Sequence, residues 1–204
     1  MSTVQISIEN RIAIITISRS EQLNALSLQV LRDLKNVFQV VEQNNEVGVI
    51  ILTGEGDKAF IAGADIKEMS TFSSEEAKTY AINGQSLTTY IENFPKPVIA
   101  AINGFALGGG CEFAMACHIR YASETARLGQ PEVGLGLIAG FGGTQRLPRL
   151  VGKGRALEIL LSGGMLSASD AKEMGLVNAI FPKESLMEAC IKLALKILRN
   201  GPIA

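Results

Sequence analysis

Apolar residues recur at every second position or closer from Val4 to Ile8 and again from Ile12 to Ile17, with Glu9, Asn10 and Arg11 between the runs. Period-two patterning broken by a short polar stretch predicts a β-hairpin. The period then changes. Leu28, Leu31, Leu34, Val37, Phe38 and Val41 follow at spacings of three and four behind Ser27, a helix-capping residue type, so a helix is expected to start there. Val47 to Thr53 reads as a buried strand, closed by Gly54-Glu55-Gly56. A loop around residues 57–74, a helix over about 75–93 and a strand from Pro97 to Ile102 make a second cycle. A helix over about 109–117 leads to a strand from Ile119 to Ala122. Shorter helices are expected at 143–150, 153–161 and 168–174, then a strand from Leu176 to Phe181 and a last helix from about Glu184 to Arg199. Strands alternating with helices predict an α/β fold. No linker or low-complexity segment divides the chain, so residues 1–204 read as one domain.

Composition narrows the class of function. The chain is 47% hydrophobic and 19% charged, as in ordinary globular proteins. Nineteen Lys and Arg against twenty Asp and Glu give a net charge of −1, which does not favour nucleic acid as a partner but leaves room for a local phosphate site. No apolar run approaches the roughly 20 residues that cross a bilayer, and the N-terminus has neither signal-peptide nor transit-peptide character. The expectation is a cytoplasmic protein with no membrane contact. Cys111, Cys117 and Cys190 fit neither a disulfide framework nor a zinc spacing. The single histidine, His118, lacks the companions that a metal site or a hydrolase triad requires, and is expected at a helix-to-strand junction.

Candidate chemistry concentrates between Gly54 and Arg146. Gly108-Gly109-Gly110 stands at a strand-to-helix junction, where missing Cβ atoms let a ligand approach the backbone. The first amides of the helix have no internal partner and carry the positive end of its dipole, so the junction attracts an anion. Glu112 lies three residues beyond Gly109, on the same helical face, and is the only acidic or basic residue between Lys96 and Arg120, leaving His118 aside. Glu132 is the only charge between Arg127 and Arg146. Two isolated carboxylates in apolar, glycine-lined segments can form an acid/base pair. Spacing alone equally allows Glu112 to complement the helix dipole and Glu132 to cap a turn after Pro131. The segment Lys58 to Lys67 offers a second amide that could face that of Gly109 in a two-donor oxyanion hole. Gly54-Glu55-Gly56 lacks the third glycine of a dinucleotide fingerprint, and no Walker sequence is present.

Taken together, Phe60 to Met69, Lys96 to Glu112, Gly129-Gln130-Pro131-Glu132 and Gly142 to Leu147 resemble the crotonase superfamily, and within it the enoyl-CoA hydratases. Asn24-Ala25-Leu26 and the stretch Ala168 to Phe181 extend the likeness over nearly the whole chain. The resemblance implies a spiral of ββα units, with an oxyanion hole from the amides of Ala64 and Gly109. It implies acyl-CoA contacts along Ala62, Gly63, Ala64, Asp65, Ile66 and Lys67, and at Gly108 and Gly109. It further implies that Glu112 and Glu132 hold one water and add it across a 2-enoyl-CoA double bond, with the CoA thioester as substrate and no cofactor or metal. Isomerisation of a 3-enoyl-CoA and non-catalytic acyl-CoA binding are the alternatives. Two departures stand out. His118 occupies a position where many relatives have aspartate, which removes an expected hydrogen-bonding partner. The sequence also stops at Ala204, short of the C-terminal helical segment that in relatives closes the CoA site and builds trimers and hexamers.

Overall fold

The computed structural model describes residues 3–202. Met1, Ser2, Ile203 and Ala204, and the expectations attached to the two chain ends there, lie outside the described residues. The alternating runs form β1 (Val4–Glu9) and β2 (Ile12–Ile17), paired antiparallel. Asn10 and Arg11 between them take φ of 50° and 64°, the left-handed pair that suits the twist of a two-residue hairpin. Ser27 caps α1 (Leu28–Gln43), its hydroxyl accepting from the Val30 amide at 3.2 Å. β3 (Val49–Gly54) follows, buried at every position.

The stretch 57–74, expected as loop, contains β4 (Ala59–Ile61) and the single turn α2 (Ile66–Met69). Next come α3 (Ser74–Glu92), opened by a Ser73–Glu76 capping box, and β5 (Val98–Ile102). A short strand that the residue pattern did not announce, β6 (Phe105–Leu107), leads into α4 (Gly109–Ala116). β7 (Ile119–Ser123) is again followed by an unannounced strand, β8 (Arg127–Gly129), and then by a 3-10 turn at Pro131–Leu135. The remainder comprises α5 (Gly143–Val151), α6 (Lys153–Ser162), β9 (Met165–Ser167), α7 (Ala168–Glu173), β10 (Ala179–Phe181) and α8 (Leu186–Leu198). The strand expected from Leu176 begins only at Ala179; Leu176 and Val177 are buried ahead of it.

A six-stranded sheet runs β1-β2-β3-β5-β7-β10, and a four-stranded sheet runs β4-β6-β8-β9. All neighbours in the first are parallel except the opening hairpin; in the second only β9 is antiparallel. From β3, β5 and β7 in the large sheet, the chain passes to β4, β6 and β8 in the small one, and then into helix. That is the spiral of ββα units implied by the resemblance. It also explains why β3 is apolar throughout. Ile50 and Leu52 face the main core with Phe38, Phe60 and Phe113, whereas Val49 and Ile51 face Leu186, Cys190 and Ala194 of α8.

His118 does sit between α4 and β7, and it makes its own hydrogen bonds. Nδ1 accepts from the Val98 amide at 2.9 Å, which leaves the proton on Nε2, 3.2 Å from the Glu92 carbonyl. The partnership expected to be lost there is met by the imidazole. The three cysteines are free and buried. Among the described residues no helix is long and apolar enough to cross a membrane.

Candidate active site

The three parallel strands of the small sheet each release the chain at their C-terminal ends, where open α/β sheets bind ligands. β4 delivers Ala62-Gly63-Ala64, β6 delivers Gly108-Gly109 and helix α4, and β8 delivers Gln130-Pro131-Glu132. These segments border one cavity of about 440 Å³ with mostly apolar walls. Tyr80 and Ala81 of α3 form one side, and Leu135, Leu137 and Ile138 form an outer lip. Ile138 is 79% exposed there.

Two main-chain donors open onto this space. Leu26 forms an isolated parallel bridge with Ala64: its amide donates to the Gly63 carbonyl, and its carbonyl accepts from the Asp65 amide, both at 2.9 Å. Those bonds flank Ala64, so its own N–H points away from Leu26. Gly109 is the first residue of α4, where an amide has no helical acceptor. Among the described residues neither amide has a hydrogen-bond acceptor. The adjacent glycines are needed for different reasons. Gly108 takes φ 51° and ψ −122°, open only to glycine, and a Cβ there would lie 3.1 Å from Glu132 Oε1. A Cβ on Gly110 would lie 1.9 Å from the Ile61 carbonyl oxygen. Gly110 therefore serves close packing of α4 on β4, not ligand approach.

Glu112 is 1% exposed. Its Oε1 accepts from the amides of Phe141 and Gly143, at 2.7 and 2.6 Å. Burial pushes its carboxyl from 4.5 up to about 7; the Gly143 amide opposes that, the charge of Glu132 adds to it, and the Phe141 amide and Arg146 oppose it. Glu132 sits in the first turn of the 3-10 segment, and burial raises its carboxyl as well. Turned so that its nitrogen faces the carboxylate, the buried Gln130 side chain donates to Glu132 Oε1 at 2.9 Å and Oε2 at 3.1 Å. Neither glutamate has a salt-bridge partner among the described residues. Both carboxylates are held by neutral donors and face one cavity, and burial favours the protonated form of each.

Of the residues singled out from the sequence, Ala62, Gly63, Ala64, Ile66, Gly108, Gly109, Glu112 and Glu132 border the cavity. Asp65 and Lys67 do not. Asp65 caps α2 and pairs with Arg19 at 3.1 Å, and Lys67 is exposed on that turn. Sequence reasoning missed Gln130, Phe141, Gly143 and Tyr80 as parts of the site. Gly142 and Gly143 fall in a stretch that carries the family resemblance, but the role of this loop lies in main-chain amides, which carry no residue-type signature. Among the described residues no three His, Cys, Asp or Glu side chains gather as a metal-binding set.

A family model described as enoyl-CoA hydratase/isomerase matches residues 7–204. The short-chain-enoyl-CoA hydratase of Clostridium acetobutylicum is 46% identical over 204 residues, covering 100% of this chain and 78% of that protein. The crotonyl-CoA hydratase of Syntrophomonas wolfei is 46% identical over 196 residues, 96% of this chain and 75% of that one. The crystal structure of an enoyl-CoA hydratase from Bacillus anthracis superposes with a TM-score of 0.96 at 44% identity, over 98% of this chain and 78% of the other. The chain, with its two sheets and its two free amides and two unpaired glutamates about one cavity, thus belongs to the enoyl-CoA hydratase/isomerase family.

Proposed function

We propose that this cavity adds water in syn fashion to a trans-2-enoyl-CoA thioester, giving the 3-hydroxyacyl-CoA, with Glu112 and Glu132 as the acid/base pair. The chain is an enoyl-CoA hydratase, a hydro-lyase. The observation that carries the residue assignment is the meeting, in one cavity, of both unpaired carboxylates with the two unpartnered amides of Ala64 and Gly109. Those amides receive the thioester carbonyl and stabilise the negative charge that grows on its oxygen; one such donor is worth about 3–4 kcal/mol in the transition state. Glu112 takes a proton from water as the water oxygen bonds to C3. Glu132 delivers a proton to C2 on the same face. Water is consumed, one C–O and one C–H bond form, and the π bond is lost, so the reaction needs no redox cofactor. A carboxyl at about 7 suits this exchange, because it can hold or release a proton at working pH.

The proposed CoA contacts follow the segment Ala62 to Lys67. A homotrimer or hexamer is the proposed assembly, supported by the exposed apolar side chains of Leu157, Leu161 and Met165 and tested by sedimentation, and the cytoplasm is the proposed location. The assignment of the glutamates is tested by following loss of the conjugated enoyl-thioester absorbance with crotonyl-CoA. Glu112→Gln and Glu132→Gln should each slow turnover by about 10²–10⁴-fold while butyryl-CoA, which cannot react, still binds. Parent rates in both variants would remove the acid/base roles. Isomerisation of 3-enoyl-CoA that survives in Glu112→Gln would favour a one-carboxylate shuttle as the main activity.

A further inference from the structure

Glu112 is held by a loop, and the loop is itself held. The amides of Phe141 and Gly143 meet on Glu112 Oε1, so the intervening peptides must keep one orientation. The Phe141 carbonyl, between those amides, is gripped from behind. Thr88 Oγ1 of α3 donates to it at 2.7 Å, and Arg146 Nη1 of α5 donates to it at 2.9 Å. Arg146 is only 7% exposed, and it is anchored in turn: Nε and Nη2 both reach Glu92 Oε2, at 3.0 and 2.7 Å. Gln85 Nε2 donates to the Gly140 carbonyl at 2.8 Å on the outer side. A guanidinium is suited to this task because its planar fork can bind a carboxylate and a carbonyl in fixed relative directions, which a lysine ammonium cannot.

We propose that Arg146 is a positioning residue for Glu112: anchored by Glu92, it holds the Phe141 peptide so that two amides stay directed at the carboxylate that activates water. The inference rests on the catalytic reading of Glu112 given above. Arg146 touches neither the carboxylate nor the cavity's proposed substrate path; it acts through the main chain. Its charge has a second, smaller effect. The ionisable groups around the Glu112 carboxyl are Glu132 from the 3-10 turn, Tyr80 from α3, Cys111 on α4 itself and Arg146 from α5, with Glu92 behind it. Arg146 is the cation among them that favours the ionised carboxylate.

The decisive measurement is a double-mutant cycle on hydration of crotonyl-CoA, with butyryl-CoA affinity as a check of binding. Arg146→Met should lower kcat about 10–100-fold, the scale of a misplaced catalytic group, with butyryl-CoA affinity within about threefold of the parent. In a Glu112→Gln background the same change should cost almost nothing further, because the group through which Arg146 acts is already disabled. Arg146→Lys keeps the charge but loses the fork, so its kcat should fall while the acidic limb of kcat/KM stays in place. In Arg146→Met that limb should move upward by roughly half a pH unit. Should Arg146→Met fail to fold, Glu92→Gln weakens the half-exposed anchor instead and should lower kcat severalfold at unchanged affinity. Parent kcat in every Arg146 and Glu92 variant, or an equal loss in both Glu112 backgrounds, overturns the proposal. Full hydration by Glu112→Gln alone would instead overturn the underlying reading of the glutamates, so the two failures are told apart.

Discussion

Glu112 is a cost to the fold as well as a tool of the site. In the unfolded chain its carboxyl titrates near 4.5, whereas burial in the folded protein pushes it up to about 7. Between those values the folded state holds a proton that the unfolded state has released. The stability contributed by this group is therefore complete below about pH 4.5, declines as pH rises through 7 and is flat above. Glu112→Gln has no such proton to lose. Its stability relative to the parent should improve by about 1–3 kcal/mol between pH 5 and pH 8, even as turnover collapses. Urea unfolding of both proteins at the two pH values measures this, and a pH-independent difference would refute it. The residue was legible beforehand because a lone charge among Cys111, Phe113, Ala114 and Met115 needs a reason. Its partners were not. The Phe141 and Gly143 amides belong to the backbone, and Gln130 resembles any other polar residue until the fold turns it toward Glu132.

At the scale of elements, the seat of α4 on β4 governs where both Glu112 and the Gly109 amide lie. A methyl group at position 110 would meet the Ile61 carbonyl oxygen at 1.9 Å, a backbone atom that no rotamer change can move aside. Gly110→Ala should therefore lift the start of α4, lowering stability by about 2–4 kcal/mol and turnover by at least tenfold. Denaturation midpoints and kcat on the folded fraction test this; a variant within twofold of the parent in both would show that β4 yields freely. The long elements were readable from the chain. The helix behind Ser27, the helix after Ser73 and the strands β3, β5 and β7 carry enough periodic positions to declare themselves. The strands β4, β6, β8 and β9 have three residues each, too few for a period, and lie among glycines that read as turns. The small sheet was thus hidden from the residue pattern, although it delivers the chain to the Ala64, Gly109 and Glu132 segments of the site; only the family resemblance implied it.

Across the whole molecule, the large sheet separates the main core and the cavity on one side from a smaller apolar cluster on the other. One face and the small sheet enclose the main core, at whose edge the cavity opens, while α8 covers the other face with a separate apolar cluster. Two buried leucines probe the division. Leu128 is the central residue of β8, fully buried, two positions before Gln130 and four before Glu132. Leu186 begins α8 and packs in the far cluster. Truncation of either to alanine removes the same atoms from a packed interior and should cost about 2–4 kcal/mol. The catalytic consequences should differ. Leu128→Ala leaves a void beneath the strand that aims Glu132, so kcat per folded molecule should fall about tenfold. Leu186→Ala should keep the parent kcat, because the sheet stands between its void and the cavity. Urea midpoints give the first quantity, and crotonyl-CoA turnover under conditions where each variant is fully folded gives the second. Equal losses of kcat would mean that strain passes freely through the large sheet, and a site built only from the three short strands could not then be mechanically separate from α8.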